Sequence, residues 1–512
     1  MRSPPTILPE KKATFGVPIG AVSAAPRSRR RPSSIALVVI VALGGLVRVW
    51  GLGAPRLGFD EAFTAMAGRK PLGSLFAYLR VRDSHPPLDY LLRAPLARAG
   101  ASELVFRLPS VICSVAALAV FAWWMRRRGV AGVVATALLA ASAFQITFGR
   151  EARMYAELEL IGVVVAVMAE AWLHEPRSWH APAIGALSFV GLMTHVSMFL
   201  LVAGLALLAG LRRDRDAWRW RAALLAALVG WAVLWGPTFL VQSRGGHSSW
   251  IPRTTVDGLI RTFGALVTPS ASLQLAAFAA VVAGSVLVWQ SRTRLSRVFV
   301  CCALAPAVLA SLAGLVAPVL LDRTMTLWSW GPCMAFGFLV AHLLHRSRVL
   351  GVVALMTAAV LLLPSAVDTV TASSNVDLAV RRIEAVARPG DVIASRPGNR
   401  LHLLLWSVSV RRHEPARGVR LAGLGNSLGV AVGDGPLTGR TWLLESNGPI
   451  HETGKPRCAR DRTFGALHVV CWRDAVDQRS RSSVRGALAA RRTVMAAATA
   501  TAAVTAAATV AR

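Results

Sequence analysis

Long apolar segments separated by short polar ones make up most of the chain between Ile35 and Val367. A helix needs ~20 apolar residues to cross a bilayer, and eleven segments approach that length: residues 35–53, 104–125, 130–148, 157–173, 181–195, 197–211, 222–241, 272–290, 298–321, 325–344 and 349–367. The fifth and sixth are short and can equally form one broken hairpin. Because a backbone inside a bilayer must satisfy its own hydrogen bonds, residues 35–367 are predicted to form an all-α polytopic membrane bundle of about 11 transmembrane helices.

The connection between the first two segments, residues 54–103, is too long to be a simple link. Leu72, Leu75, Phe76 and Leu79 recur at helical spacing and predict an amphipathic helix that rests on the bilayer interface or covers the bundle. Pro86-Pro87 ends that helix, and residues 88–96 can start another. Loops of this length in compact domains are usually functional.

The polar and apolar pattern changes after Pro364. Residues 375–387 predict an amphipathic helix, and residues 392–394, 441–444 and 467–472 predict short strands. This order is typical of a small α/β domain, which we place at residues 368–478. Two compositionally biased segments flank the predicted folded regions, a Pro-, Ser- and Arg-rich tail at residues 1–34 and an Ala- and Thr-rich tail at residues 479–512.

Composition agrees with a membrane protein, since 54% of the residues are hydrophobic and only 16% are charged. The formal net charge of +31 comes from arginines that cluster in alternate loops, at residues 27–31, 126–128, 212–221, 292–297 and 346–348. This positive-inside pattern places the N-terminus in the cytoplasm of a multi-pass plasma-membrane protein. It argues against a nucleic-acid partner, which would require one contiguous basic surface. Residues 54–103 and 368–478 then lie on the extracytoplasmic side.

The cysteines divide between these compartments. Cys113, Cys301, Cys302 and Cys333 lie within apolar segments and are expected to pack as small apolar side chains. Cys458 and Cys471 lie in the extracytoplasmic part, where an oxidising environment would allow them to form a disulfide. No cysteine or histidine spacing indicates a metal site.

An acidic pair, Asp60-Glu61, follows the first apolar segment directly. The ordinary interpretation is a solvated membrane boundary. The alternative is a partly desolvated carboxylate that acts as a general base on an acceptor hydroxyl.

A basic segment, Arg150-Glu151-Ala152-Arg153-Met154-Tyr155, follows the third apolar segment. On a helix, Arg150 and Arg153 would share a face and could hold a phosphate through bidentate hydrogen bonds. The alternative is a helix end with an internal Arg–Glu pair. The positive-inside rule disfavours arginine at this extracytoplasmic end, which favours the functional interpretation.

Weaker candidates lie in three other loops predicted to be extracytoplasmic. His85 precedes Pro86-Pro87, His195 ends the fifth segment, and Asp322-Arg323 joins the ninth and tenth. A lone histidine is more often structural, and Asp322-Arg323 forms either an ion pair or a further phosphate contact. The sequence has no Gly-rich loop that would bind the phosphates of a cytosolic nucleotide, and it has no Ser-His-Asp set. If the extracytoplasmic site transfers a chemical group, the activated donor of that group would therefore have to be carried on a lipid, without a cofactor.

Three segments in this order carry a resemblance to a known superfamily. Phe59-Asp60-Glu61, His85-Pro86-Pro87-Leu88 and Ala152-Arg153-Met154-Tyr155 resemble the motifs of the GT-C integral-membrane glycosyltransferases. The resemblance is to the branch of protein O-mannosyltransferases, aminoarabinose transferases and rhizobial lipopolysaccharide-core transferases. Trp250-Ile251-Pro252 and Asp322-Arg323 resemble later markers of bacterial members, although this chain has Arg323-Thr324 where Arg-Tyr is more usual.

The resemblance implies a function and a role for each matching residue. A sugar such as mannose or another hexose or pentose would move from a polyprenyl-monophosphate donor to a glycan, glycolipid or protein acceptor, with inversion. Asp60 would be the catalytic base, and Glu61 would orient it or the acceptor. The donor phosphate would be held by a set of five side chains: Arg150, Arg153, Tyr155, His85 and Arg323. The alternative function is a transporter or flippase of lipid-linked sugars, which usually places its charges on broken helices near the bilayer midplane.

Overall fold

A computed structural model of the chain describes residues 31–371 except 56, 245–250 and 252, together with positions 378, 383 and 385 and five short strands. Most of residues 1–34 and 375–387, and all of residues 479–512, lie outside the described part, as does Cys458. The predictions for those segments, including the Cys458–Cys471 disulfide and the extent of the C-terminal domain, stay predictions.

The described part of the bundle is helical. Its first nine helices are α1 (Arg31–Val49), α2 (Phe59–Gly68), α3 (Leu72–Arg82), α4 (Leu88–Arg98), α5 (Glu103–Met125), α6 (Gly129–Ala141), α7 (Ala143–Arg150), α8 (Tyr155–His174) and α9 (His180–Thr194). The next nine are α10 (Met198–Gly210), α11 (Arg215–Leu234), α12 (Gly236–Arg244), α13 (Val256–Ala265), α14 (Gln274–Gln290), α15 (Arg294–Phe299), α16 (Ala305–Val316), α17 (Trp330–Arg346) and α18 (Arg348–Thr371). A π-helical turn at Val300–Leu304 joins α15 to α16, and 3₁₀ turns lie at Ala271–Leu273 and Asp322–Trp328.

Several of these helices are long and apolar enough to cross a membrane. Within the described residues four qualify alone, and the number rises to six if two bent pairs each count as one span. The bent pairs are α6 with α7, at 53°, and the 3₁₀ turn Asp322–Trp328 with α17, at 68°. The chain is therefore a multi-pass membrane protein, whereas the count of eleven crossings stays a prediction.

The bend between α6 and α7 shows that residues 130–148 are not the single straight helix predicted from their hydropathy. Arg48, fully buried at the end of α1, donates from Nη1 to Ala140 O at 3.0 Å and from Nη2 to Leu139 O at 3.1 Å. These carbonyls at the end of α6 would otherwise lack partners in an apolar environment. A buried arginine thus stabilises a helix break that hydropathy alone does not reveal.

The long loop 54–103 forms three short helices, α2, α3 and α4. The four apolar residues predicted to share one face of α3 consist of a buried pair and a partly exposed pair. Leu75 and Leu79 are fully buried, whereas Leu72 and Phe76 are 51% and 40% exposed. The reason is that α3 packs on both α2 and α12, and Gln242 of α12 donates to Leu79 O at 3.0 Å. One side of α3 therefore covers the bundle, and contact of its other side with lipid stays a prediction.

A close helix approach brings the Asp322–Trp328 turn onto α8. A Cβ atom at Gly162 would overlap the carbonyl group of Leu327, so only glycine permits this packing. The contact positions Arg323 near the first turn of α2.

The C-terminal strands are β1 (Val392–Ser395), β2 (Arg420–Gly423), β3 (Thr441–Glu445), β4 (Arg462–Phe464) and β5 (Leu467–Trp472). They form one sheet in the order β2-β1-β3-β5-β4. β1 is parallel to β2 and β3, with Val392 opposite Arg420 and Thr441. β5 is antiparallel to β3 and β4, so the sheet is mixed.

Candidate active site

Asp60 lies in the first turn of α2 and forms an ion pair with a residue distant in sequence. Its Oδ2 accepts a hydrogen bond from Arg323 Nη1 at 2.6 Å, and the two side chains are 23% and 25% exposed. Asp60 Oδ1 has no hydrogen-bond partner among the described residues. The structure thus joins the predicted base and a predicted phosphate contact, and it leaves one carboxylate oxygen available.

Glu61 has a different environment from its neighbour because it is buried and fully paired. Its two oxygens accept from Arg107 Nε at 2.7 Å and Nη2 at 2.6 Å. They also accept from the backbone N–H groups of Gly58 and Ala152, each at 2.8 Å. Burial alone would raise the pKa of Glu61, but the Arg107 charge and these hydrogen bonds lower it overall. Glu61 is therefore an ionised anchor for the segment that carries Ala152.

Arg153 lies in the non-helical break between α7 and α8. It is only 3% exposed, and its Nη1 donates to Thr64 Oγ1 and to Tyr90 OH, both at 2.8 Å. Tyr90 OH in turn donates to Asp83 Oδ2 at 2.5 Å. Burial lowers the pKa of Arg153, but the surrounding acidic groups, led by Tyr90, raise it well above its ordinary value. The guanidinium is a permanent buried cation beside α2.

Arg150 is separated from Arg153 by that same break, so the prediction that the two share one helix face is wrong. Arg150 is the last residue of α7, and the next residue, Glu151, has extended backbone with φ −71° and ψ 132°. Its Nη1 is buried with no hydrogen-bond partner among the described residues. Tyr155 begins α8, is 1% exposed and packs edge-on against Phe148 at 5.2 Å between ring centroids.

The backbone of residues 151–154 is held by groups that sequence reasoning missed. Ser110 Oγ donates to Glu151 O at 2.6 Å, and Arg93 Nη2 donates to Arg153 O at 3.2 Å. Arg93 is fully buried and is paired with Asp89 at 2.7 Å and with Glu157 at 2.6 Å. These contacts, with the Glu61–Ala152 hydrogen bond, fix the direction in which Arg153 projects.

Two carboxyl groups near these cations have raised pKa values. Burial, with Glu61 and then Asp60 as further causes, raises the pKa of Glu151 to about 8. Burial also raises the pKa of Asp83, against the opposing charge of Arg153. Glu151 is therefore protonated at neutral pH, whereas Glu61 is ionised. Among the described residues, no group of three or more His, Cys, Asp or Glu side chains could hold a metal ion.

His85 stacks on His195, with ring centroids 4.9 Å apart and an interplanar angle of 29°. The two come from different loops, one before α4 and one between α9 and α10. Burial is the largest cause lowering the pKa of each imidazole, and the charges of Arg153 and Arg323 lower both further. Both rings are neutral at physiological pH.

The fold is similar to that of two solved structures of one protein, ArnT. The crystal structure of the aminoarabinose transferase ArnT from Cupriavidus metallidurans bound to undecaprenyl phosphate has a TM-score of 0.51 at 16% identity. Its apo structure gives 0.52 at 15% identity, and each match covers 85% of this chain and 97% of ArnT. The resemblance predicted from the sequence is confirmed at the level of the fold.

A further solved structure matches only part of the chain. The S. cerevisiae protein O-mannosyltransferase Pmt1-Pmt2 complex bound to the sugar donor has a TM-score of 0.32 at 16% identity, covering 45% of this chain and 36% of that one. No protein-family model and no curated protein sequence matches the chain.

Proposed function

We propose that this protein is a membrane glycosyltransferase that moves a sugar from a polyprenyl monophosphate to an acceptor hydroxyl, with inversion. The observation that carries the proposal is the Asp60 carboxylate, held by Arg323 at 2.6 Å and still partly exposed, close to the buried Arg153 cation. A general base needs an accessible lone pair, and a leaving phosphate needs fixed positive charge. Both are present at one end of α2, in a fold similar to that of ArnT.

The reaction balances with the groups at the site. The acceptor oxygen attacks the anomeric carbon, and Asp60 Oδ1 takes the hydroxyl proton as the new carbon–oxygen bond forms. The bond from the anomeric carbon to the phosphate oxygen breaks, and its electron pair stays on the lipid phosphate. Arg153 stabilises this growing negative charge together with Arg150, whose buried Nη1 is unpaired among the described residues.

Arg323 links the two halves of this chemistry. In the resting site their ion pair orients the Asp60 carboxylate. When Asp60 takes the proton its attraction for Arg323 falls, at the moment when the leaving phosphate gains negative charge. The Arg323 guanidinium can then release Asp60 and pair with the leaving phosphate. Tyr155 lies against this cluster and completes the wall of the site.

We infer the membrane orientation from the arginine distribution. It places the N-terminus in the cytoplasm of a plasma-membrane protein and the Asp60 end of the bundle outside. Residues 368–478 then lie outside as well, where a small domain can help bind a glycan, glycolipid or protein acceptor.

A transporter or flippase of lipid-linked sugars is the second candidate, and one observation favours it. The bent helix pairs at 53° and 68° are of the kind that forms binding sites in transporters. Against it, Asp60 lies on the short helix α2 of a loop, outside both bent pairs. Substitution of Asp60 therefore separates the two functions.

The test uses purified protein with undecaprenyl phosphate carrying mannose, glucose or arabinose, and cell-envelope extract as acceptor. Asp60→Asn is expected to abolish transfer, because the amide cannot accept the proton. Asp322→Asn is the matched control, since the Asp322 carboxylate caps its own turn through Arg323 N at 2.7 Å and is not a base in this mechanism. Normal transfer by Asp60→Asn would rule out the assigned base. Wild-type movement of the lipid across vesicles without transfer would support the flippase instead.

A further inference from the structure

The stacked pair His85–His195 has a fixed arrangement of donors and acceptors. His195 Nδ1 accepts a hydrogen bond from the backbone N–H of Ser197 at 3.0 Å and lies 2.8 Å from Ser197 Oγ. A backbone N–H can only donate, so Nδ1 must carry a lone pair. The proton of the neutral His195 ring is therefore on Nε2. That N–H has no hydrogen-bond acceptor among the described residues.

The second ring also has an unused polar atom. His85 Nδ1 is buried and has no hydrogen-bond partner in the described part of the chain. Buried polar atoms without partners are uncommon in folded proteins, and each one calls for a ligand, a water molecule or a functional role. The backbone that carries His85 is itself held in place, because Gln242 Nε2 lies 3.5 Å from His85 O. The unused atom is thus part of a positioned side chain.

The pair lies beside the proposed phosphate site. Asp83, two residues before His85, is linked through Tyr90 OH to Arg153 Nη1. Two permanent cations, Arg153 and Arg323, already supply positive charge there, and burial, with repulsion from these cations as a further cause, lowers the pKa of both imidazoles and keeps them neutral. A neutral imidazole offers one donor and one acceptor, as a hydroxyl group does, and it adds little to the binding of an anion.

We propose that the His85–His195 pair binds hydroxyl groups of the transferred sugar, while the guanidiniums bind the lipid phosphate. The inference rests on the proposed function and adds a division of the donor site into a neutral half and a cationic half. His195 Nε2 donates to a sugar oxygen, and the stacked His85 ring holds a neighbouring hydroxyl through its nitrogen. The resemblance had instead implied that His85 contacts phosphate.

Binding measurements on two kinds of lipid test this division. His195→Phe keeps a flat ring for stacking on His85 and removes the N–H. The dissociation constant is measured for undecaprenyl phosphate alone and for the same lipid carrying mannose, glucose or arabinose. Wild-type protein is expected to bind at least one sugar-bearing lipid more tightly than the bare lipid. His195→Phe should weaken that complex about tenfold, the effect of one lost hydrogen bond, with less than about a twofold change for the bare lipid.

Two controls make the result specific. His174→Phe changes an exposed histidine that contacts Arg294, away from the site, and should alter neither constant. Binding of the bare lipid by His195→Phe shows that the variant is folded. An equal loss for bare and sugar-bearing lipids would overturn the inference in favour of a phosphate contact, and no loss for either would overturn it outright. Failure of the wild type to bind any of the lipids would instead contradict the proposed function, and this inference with it.

Discussion

The buried pair of Glu61 and Arg107 gives the sharpest test of how the site is built. Both side chains are nearly inaccessible, at 4% and 7% exposure, and Glu61 accepts four hydrogen bonds. Glu61→Gln removes the negative charge and leaves the buried Arg107 cation without the carboxylate that neutralises it. Breaking a buried pair in this way costs about 3–5 kcal/mol.

The chain contains a matched exposed pair for comparison. Asp257 and Arg261 on α13 lie 2.8 Å apart with side chains 69% and 66% exposed. Because water screens such a pair, Asp257→Asn should cost less than about 1 kcal/mol. The double variant Glu61→Gln/Arg107→Met should be less destabilised than the sum of the two single variants, since each single change leaves the other partner unpaired.

The measurement is thermal unfolding of the purified variants in detergent, followed by tryptophan fluorescence. The pH dependence gives a second readout. Because the folded-state pKa of Glu61 is lowered, its contribution is fully present above the ordinary glutamate pKa of about 4.3 and is lost as pH falls through the folded value. Wild type should therefore lose this stability in acid, and Glu61→Gln should not. If Glu61→Gln and Asp257→Asn were equally mild, or the double variant strictly additive, the pair would not be the anchor described.

The sequence indicated which residues meet at the site better than it indicated how they are held. The segments that carry Asp60, Arg153 and Arg323 all follow apolar segments on the same predicted side of the membrane, which predicts that these side chains lie near one another. The structure places them together. Local periodicity could not reveal the partner of Glu61, because Arg107 is 46 residues away and lies near the start of the apolar helix α5.

The shared-face prediction for Arg150 and Arg153 failed for an identifiable reason. The three-residue spacing implies one face only if the helix is continuous, and the helix ends at Arg150. One clue was present in the sequence, since Arg48 lies inside the first apolar segment, where an unpaired charge would be costly. Arg48 donates hydrogen bonds to the carbonyls that end α6, so its position in an apolar segment is a sign that the third span is interrupted.

Two further predictions concern the residues of that break. Arg153→Ala should weaken binding of undecaprenyl phosphate far more than Arg153→Lys, because lysine keeps the positive charge and loses only the planar guanidinium, whose Nη1 donates to both Thr64 and Tyr90; equal losses in titrations of the two variants would indicate a packing role. For Glu151, burial and nearby carboxylates raise the pKa to about 8, so between about pH 4.3 and that value the folded state keeps a proton that the unfolded chain releases, and stability falls as pH rises. Glu151→Gln resembles the protonated form and should transfer sugar normally at pH about 7, while its melting temperature should decline less than that of wild type between pH about 5 and 9. Melting curves that shift in parallel for the two proteins would mean that this carboxyl titrates in the ordinary range, and that the break does not bury it as the geometry requires.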